Sequence, residues 1–146
     1  QSARAIIPTI ISQILNGKTN IELGNISPTR DLTYVLDTCR GFIDIYKKDS
    51  LFGETINIGM NSEISIKDLV KLIADRMKID ITIRSLEERT RPKESEVERL
   101  ICDNEKIIKS TDWKAKFSLK EGIDKTINWM KEPKNLEIYK KNQYNI

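Results

Sequence analysis

The sequence predicts a small α/β domain made of short strands and about five helices. Apolar residues recur at helical spacing behind the capping residues Ser65 and Ser118. Three shorter stretches, at positions 21–24, 55–59 and 81–84, alternate apolar and polar residues as strands do. The length of 146 residues suits one domain with one hydrophobic core.

The first third of the chain predicts a helix, a strand and a second helix. Pro8 leads a run of apolar residues at helical spacing that ends at Asn16-Gly17, which favours a helix with proline at its first position and glycine after its end. A short strand follows at 21–24, and a short extended run at 32–35. A helix is then predicted from near Asp37, with an apolar stripe formed by Leu36, Cys39, Phe42, Ile43 and Tyr46.

The middle and the end of the chain predict further short elements. The alternation at 55–59 directs Ile56 and Ile58 to the core and Asn57 to the opposite face. The clearest helical stripe follows Ser65, and a full capping box at Ser118 begins another helix. The elements between and around them are a strand at 81–84, a charged loop at 87–98, a brief strand at 100–101 and a short helix from Asp103 to Ser110.

The two ends of the sequence differ in character. Pro133 ends the last predicted helix, and the residues after it are polar and without periodicity. We therefore expect a domain over residues 1–132 and a mobile polar tail over 133–146. The chain opens at Gln1 without a methionine and runs directly into patterned sequence, which reads as the continuation of a longer polypeptide.

Composition excludes several kinds of site. The chain has no histidine, which removes Ser-His and Cys-His nucleophile pairs and the commonest metal ligand. Its six glycines are never two positions apart, so it forms neither a G-x-G-x-x-G turn nor a P-loop. Cys39 and Cys102 stand singly among apolar residues and are interpreted as buried free thiols.

The distribution of charge and hydropathy bears on location and partners. The net charge of +3 is spread along the sequence and is not gathered into a basic face, which disfavours a nucleic-acid partner. No apolar run approaches the roughly 18 residues of a membrane span. We therefore expect a cytoplasmic chain that binds neither nucleic acid nor a membrane.

Polar groups on loops beside strands are the candidate ligand residues: Arg30, Asn57 and Arg91. Arginine binds phosphate oxygens at two points, and two such arginines could straddle a diphosphate. Alternatively, each arginine pairs on the surface with Asp31 or a nearby glutamate. The glutamates at 87–98 are interleaved with arginine and lysine, which favours a solvated loop over a catalytic acid/base pair. The residues alone thus indicate a possible anion binder.

An ordered set of motifs runs through the chain. Residues 27–37, S-P-T-R-D-L-T-Y-V-L-D, are similar to the segment R-D-[FW]-x-[YH]-V-x-D of the extended short-chain dehydrogenase/reductase family, the NAD-dependent epimerases and dehydratases of nucleotide sugars. The resemblance extends over residues 1–131 and includes Asn57-Ile58-Gly59, Arg91-Pro92, Asp103-Asn104-x-Lys106 and Ser118-Leu119-x-Glu121-Gly122-Ile123. The loops at 27–31 and 91–97 look most like the 4,6-dehydratases of N-acetylglucosamine nucleotides, the legionaminic-acid type.

This resemblance implies a nucleotide-sugar-binding carboxyl-terminal domain without its Rossmann half, the part that in this family binds NAD and carries a Tyr-x-x-x-Lys pair. It implies that Arg30 and Arg91 bind the diphosphate, that Asn57 lies near the nucleotide, and that Ile21 and Leu23 lie beside the base. No tyrosine here is followed four positions later by lysine, so the chain alone should be inactive.

The resemblance also implies what the parent enzyme does. We expect a homodimer that binds a nucleotide-diphosphate sugar, oxidises its C4 with NAD, eliminates water across C5 and C6, and reduces C6. A 4-epimerase with the same binding portion is an alternative. A stand-alone anion- or nucleic-acid-binding module is an alternative of a different class.

Overall fold

The computed structural model describes residues 5–86 and 95–139, and these ranges contain six α-helices and five short strands. The helices are α1 (Ile6–Leu15), α2 (Val35–Tyr46), α3 (Ile66–Met77), α4 (Glu105–Ser110), α5 (Leu119–Lys131) and α6 (Pro133–Leu136), and a 3₁₀ turn at Asp49–Leu51 follows α2. The strands are β1 (Asn20–Leu23), β2 (Thr29–Arg30), β3 (Ile64–Ser65), β4 (Thr82–Ser85) and β5 (Arg99–Leu100). The predicted α/β class is confirmed.

The strands form two small sheets. β1 and β4 pair in parallel, with Ile21 opposite Ile83. In the second sheet β2 is central: it runs antiparallel to β3 and parallel to β5, so Thr29 faces Ser65 on one side and Arg99 on the other. Arg30, the last residue of β2, therefore lies beside β5 and the segment that leads into it.

The hydrophobic core lies between α1, α3, α5 and strand β1. Leu69, Val70 and Ile73 of α3 are fully buried because residues three and four positions apart share one face of a helix. Their main partners from α1, β1 and α5 are Ile10, Ile11, Ile14, Ile21, Leu23, Ile123, Ile127 and Met130.

Most helix ends form where the sequence signals place them. Ser65 Oγ accepts a hydrogen bond of 3.0 Å from Asp68 N, and Ser118 with Glu121 completes the capping box of α5. After α1, Gly17 has φ of 82°, a left-handed conformation that favours glycine. The predicted helices α1, α3 and α5 are confirmed, but α1 begins at Ile6, so the prediction that Pro8 is its first residue is wrong.

Helix α2 turns its apolar stripe away from the described structure. Such a stripe normally marks the face that a helix buries, yet Phe42 is 65% exposed and Tyr46 is 80% exposed. The buried residues of α2, Asp37 and Gly41, lie on its other side and make its contacts with the rest of the described chain. Cys39, predicted to be buried, is consequently exposed.

The segment at 55–59 is not a strand in the described structure, so that prediction is wrong. The side chains still alternate in exposure, since Ile56 and Ile58 are half-buried and Asn57 is exposed. No strand of the described ranges pairs with this segment. The run at 32–35 also forms no strand, because the pairing occurs earlier, at Thr29 and Arg30.

The first residues of the predicted polar tail form a short helix, and the mobility of residues 133–146 stays a prediction. Pro133 begins α6, and Tyr139 is only 6% exposed. The ring of Tyr139 meets that of Trp129 edge-on, with 6.5 Å between their centroids. Residues 140–146 lie outside the described ranges.

Gly59 is held against Cys102 so closely that a Cβ on Gly59 would overlap the Cβ and Sγ of Cys102. We expect Gly59→Ala to lower the free energy of unfolding by roughly 1–3 kcal/mol, as overpacking does. Adding Cys102→Gly should restore part of that loss because it removes the overlapping atoms. Urea denaturation of both single variants and the double variant measures the coupling, and additive effects would contradict this explanation.

Candidate functional site

Arg30 is fixed at the edge of the second sheet by the segment before β5. Its Nη1 donates to the carbonyl oxygens of Val97 and Thr29, both at 2.7 Å, and its Nη2 donates to Glu96 Oε1 at 2.9 Å. The side chains of Arg30 and Glu96 are 21% and 11% exposed. The guanidinium group is therefore aimed and held, while part of it still faces solvent.

The ion pair between Arg30 and Glu96 agrees with the interpretation from sequence in which the arginine pairs with a nearby acidic residue. Its carboxylate partner is Glu96 and not the adjacent Asp31. Arg91, the proposed second arginine, lies outside the described residues, as do the glutamates at 87, 88 and 94. The sheet brings the segment from Glu96 to Leu100 against β2, since Thr29 N donates to Glu98 O and Asp31 N donates to Leu100 O, both at 2.9 Å.

Asp31 anchors two loops beside Arg30, a role that the sequence did not reveal. Its Oδ1 accepts from Met60 N at 3.0 Å, and its Oδ2 accepts from Cys102 N at 3.2 Å and from Ser62 N at 3.4 Å. A carboxylate can satisfy several backbone donors at once, and loops seldom offer other partners for them. Asp31 thus joins the chain near Gly59 to the chain after β5.

Asp37 is a second anchor and is completely buried. Its Oδ1 accepts from Arg40 Nη2 at 2.6 Å and from Lys116 N at 3.0 Å, and its Oδ2 accepts from Phe117 N at 3.1 Å. The backbone oxygen of Asp37 also accepts from Trp113 Nε1 at 2.9 Å. These contacts join α2 to the segment that leads into α5.

The remaining predicted site residues occupy different surroundings. Ile21 and Leu23 are 0% and 3% exposed, and their side chains belong to the core, so their proposed place beside the base stays a prediction. Glu22, between them on the other face of β1, is half-buried. Asn57 is exposed on the extended segment after the 3₁₀ turn. None of Arg30, Asn57, Ile21 and Leu23 lines the cavity between residues 31–35 and α5.

A cavity of about 470 Å³ lies between residues 31–35 and α5. Four of its seventeen lining residues are aromatic, and two of these, Tyr34 and Phe117, meet edge-on with centroids 4.9 Å apart. Lys125 Nζ lies 5.2 Å from the centre of the Phe117 ring. The Arg30 side chain does not line this cavity. Its apolar wall with few polar groups resembles a small-molecule site more than a diphosphate site.

The part of the chain that the structure describes gives little support for a cysteine nucleophile, a metal site or a membrane span. Burial and the nearby Asp31 and Asp103 carboxylates raise the pKa of the Cys102 thiol, which makes it a poor nucleophile at neutral pH. Residues 5–86 and 95–139 contain no group of three or more acidic, cysteine or histidine side chains that could bind a metal. Over the same ranges, every helix is too short or too polar to cross a bilayer.

Comparison with known proteins identifies the family. The profile of the family described as GDP-mannose 4,6 dehydratase matches residues 2–126. The chain belongs to this family. The resemblance inferred from the ordered motifs is thereby confirmed at the level of the NAD-dependent epimerases and dehydratases of nucleotide sugars.

Members of this family with different activities are similar to the chain. A putative UDP-glucose 4-epimerase of Methanocaldococcus jannaschii is 32% identical, over 86% of this chain and 39% of its own length. The human dTDP-D-glucose 4,6-dehydratase is 30% identical, over 90% of this chain and 38% of its own length. The UDP-glucuronic acid 4-epimerase of Bacillus cereus, solved with UDP-glucuronic acid and NAD, is 25% identical with a TM-score of 0.80, over 90% of this chain and 41% of its own.

The chain spans only about two fifths of the length of these relatives. The similar proteins include both dehydratases and epimerases, so the choice between these reactions and the legionaminic-acid-type substrate stay predictions.

We expect Asp37→Asn to lower the free energy of unfolding by about 1–3 kcal/mol, the range for leaving a buried donor unsatisfied. The asparagine oxygen can still accept from Arg40, but its NH₂ group would then face the Phe117 N–H. Asp44→Asn on the same helix is the matched control, because Asp44 pairs only with Lys47 in the described structure, at 3.6 Å. Equal denaturation midpoints for the two variants would contradict the role assigned to Asp37.

Proposed function

We propose that this chain is the nucleotide-sugar-binding portion of an NAD-dependent nucleotide-sugar 4,6-dehydratase, with Arg30 and Arg91 as ligands of the diphosphate. The observation that carries the proposal is the family match over residues 2–126, the family being described by a 4,6-dehydratase. The position of Arg30, held at a sheet edge with its side chain partly open to solvent, supports its part in this assignment.

Arg30 has donor capacity left for a phosphate. A guanidinium group has five N–H donors, and its contacts with the described residues use three of them. Two N–H groups therefore have no partner among residues 5–86 and 95–139 and could bind phosphate oxygens. A diphosphate carries more negative charge than the Glu96 carboxylate, so it can also compete for the Nη2 contact.

Covalent geometry supports a joint role for Arg91. Arg91 precedes Glu96 by five positions, and five residues of chain span at most about 18 Å. Glu96 contacts Arg30 directly. The side chains of Arg30 and Arg91 each reach several ångströms from the backbone, which would allow both guanidinium groups to bind one diphosphate.

In the proposed reaction this chain binds and orients the substrate, while NAD binds to a portion of the enzyme outside this sequence. NAD would supply the oxidation of the sugar at C4 and the later reduction at C6, with the loss of one water across C5 and C6 between these steps. The part of this chain would be to hold the diphosphate through Arg30 and Arg91, so that the sugar is oriented for that chemistry.

A 4-epimerase is the second candidate, favoured by the similarity to the epimerases of M. jannaschii and B. cereus. Mass spectrometry separates the two reactions. We expect the complete gene product, incubated with NAD and a panel of nucleotide sugars that includes UDP-N-acetylglucosamine, to yield a product lighter by one water. A product of unchanged mass with inverted C4, detected by NMR, would instead establish the epimerase.

We expect Arg30→Ala and Arg91→Ala in the complete protein to weaken nucleotide-sugar binding by about 1–3 kcal/mol each, the range for charge-assisted hydrogen bonds. Isothermal titration with the substrate measures this change. Arg76→Ala is the matched control, because Arg76 binds Asp124 through two hydrogen bonds of 2.7 Å between α3 and α5.

Unchanged affinity in both the Arg30 and the Arg91 variant would end the assignment of the diphosphate ligands. A titration with an oligonucleotide at two salt concentrations tests the alternative of another class. Binding that falls steeply with salt, together with no binding of nucleotide sugars, would favour a nucleic-acid-binding module.

A further inference from the structure

The ion pair between Arg30 and Glu96 differs from the other ion pairs of the described chain in its burial. Its two side chains are 21% and 11% exposed. In every other ion pair formed within residues 5–86 and 95–139, at least one side chain is more than a quarter exposed. Solvent screens such exposed pairs and their side chains keep much of their freedom, so they fix little. The Arg30–Glu96 contact is shielded and can hold both side chains in one orientation.

Strand pairing sets the position of Glu96 independently of the ion pair. Thr29 N donates to the backbone oxygen of Glu98, two residues after Glu96, at 2.9 Å. The carbonyl oxygen of Val97, next to Glu96, accepts from Arg30 Nη1 at 2.7 Å. The pairing of β2 with β5 thus brings the Glu96 carboxylate to the arginine, and Glu96 does not depend on the ion pair alone for its place.

The contacts of Arg30 leave two particular donors of its guanidinium group open. The two N–H groups of Nη1 donate to the carbonyl oxygens of Thr29 and Val97. One N–H of Nη2 donates to Glu96 Oε1 at 2.9 Å. Among residues 5–86 and 95–139, the Nε–H group and the second N–H of Nη2 therefore have no partner.

Arg76 shows what this pair of nitrogens binds elsewhere in the same molecule. Its Nε and Nη2 donate to the two carboxylate oxygens of Asp124, both at 2.7 Å. The same arrangement of two donors fits two oxygens of a phosphate group. Because Nη2 has two N–H groups, a phosphate can bind Nε and Nη2 of Arg30 while Glu96 stays on Nη2.

We propose that Glu96 is a positioning residue for substrate binding: it orients the Arg30 guanidinium so that Nε and Nη2 meet a phosphate of the nucleotide sugar, and it keeps this contact when the ligand is bound. The inference rests on the proposed function, because it takes Arg30 as a ligand of the diphosphate. A long side chain that is already ordered loses less conformational entropy on binding. This gain offsets the repulsion between the Glu96 carboxylate and an anionic ligand.

Two substitutions of equal charge isolate the hydrogen bond. Glu96→Gln keeps an oxygen that can accept from Arg30, Glu96→Ala removes it, and both remove the negative charge. The complete protein is titrated calorimetrically with UDP-N-acetylglucosamine, UDP-glucuronic acid and dTDP-glucose. We expect Glu96→Ala to bind the tightest of these roughly three- to tenfold more weakly than Glu96→Gln does, the cost of ordering one long side chain. Glu96→Ser, whose side chain is shorter than the contact requires, replaces Glu96→Ala if that variant fails to fold.

A double-mutant cycle tests whether Glu96 acts through Arg30. With Arg30→Ala in place, the alanine and glutamine variants at position 96 should bind with equal affinity, because no guanidinium group is left to orient. Glu105 supplies the matched control, since it pairs with Lys109 on α4 and is 66% exposed. Glu105→Ala and Glu105→Gln should bind within about twofold of each other.

Equal affinities of Glu96→Ala and Glu96→Gln would overturn the positioning role. Tighter binding by Glu96→Ala would overturn it in favour of a ligand that displaces Glu96, and a difference that persists without Arg30 would overturn it in favour of a general effect on the fold. If none of the three nucleotide sugars binds, or if Arg30→Ala keeps the wild-type affinity, the assignment of Arg30 to the diphosphate fails and the role of Glu96 fails with it. A loss of affinity in Arg30→Ala without any effect at position 96 would leave the proposed function intact, so the two failures are distinguishable.

Discussion

The buried carboxylate of Asp37 holds α2 against the segment that leads into α5. A carboxylate removed from water is tolerated only when its oxygens are hydrogen-bonded, and Asp37 meets this condition with one side-chain donor, from Arg40, and two backbone N–H donors. Those backbone donors belong to the residues just before Ser118, which begins α5. The last core helix therefore starts where Asp37 fixes the preceding segment, and the cavity wall at Phe117 is placed by the same contact.

Six positions before Asp37, Asp31 fixes the surroundings of Arg30 in a similar way. The loop near Gly59 and the chain after β5 both bind its oxygens. Asn104 reinforces this junction, since its Nδ2 donates to Gly59 O at 2.8 Å while the residue is almost fully buried. Within one short motif, two carboxylates anchor neighbouring segments, while Arg30, the proposed diphosphate ligand, keeps part of its side chain open to solvent. Strand pairing and these anchors together fix the backbone that carries the arginine.

The sequence predicted the elements whose signals are local. Ser65, Ser118 and Gly17 mark helix ends through contacts within a few residues, and α1, α3 and α5 follow them. It could not predict the partner of Arg30, because Glu96 lies 66 positions away and is brought near only by β2–β5 pairing. Nor could it separate a buried stripe from an exposed one in α2, since periodicity reports which side chains share a face and not what covers that face. For Ile21 and Leu23, the alternation of β1 predicts that the two side chains share one face, and the fold places that face in the core.

Helix α2 has two sides of opposite chemistry. Its inner side carries the buried Asp37, which accepts hydrogen bonds from Arg40 and from the backbone just before α5, and its outer side carries Phe42 and Tyr46, which are 65% and 80% exposed. Complete burial of one such ring contributes about 1.5–3 kcal/mol, so each ring that a neighbouring surface covered would add an appreciable fraction of the roughly 5–15 kcal/mol that stabilises an ordinary domain. Within the described residues this contribution is absent, and α2 is held by the polar contacts of Asp37 and not by its apolar stripe.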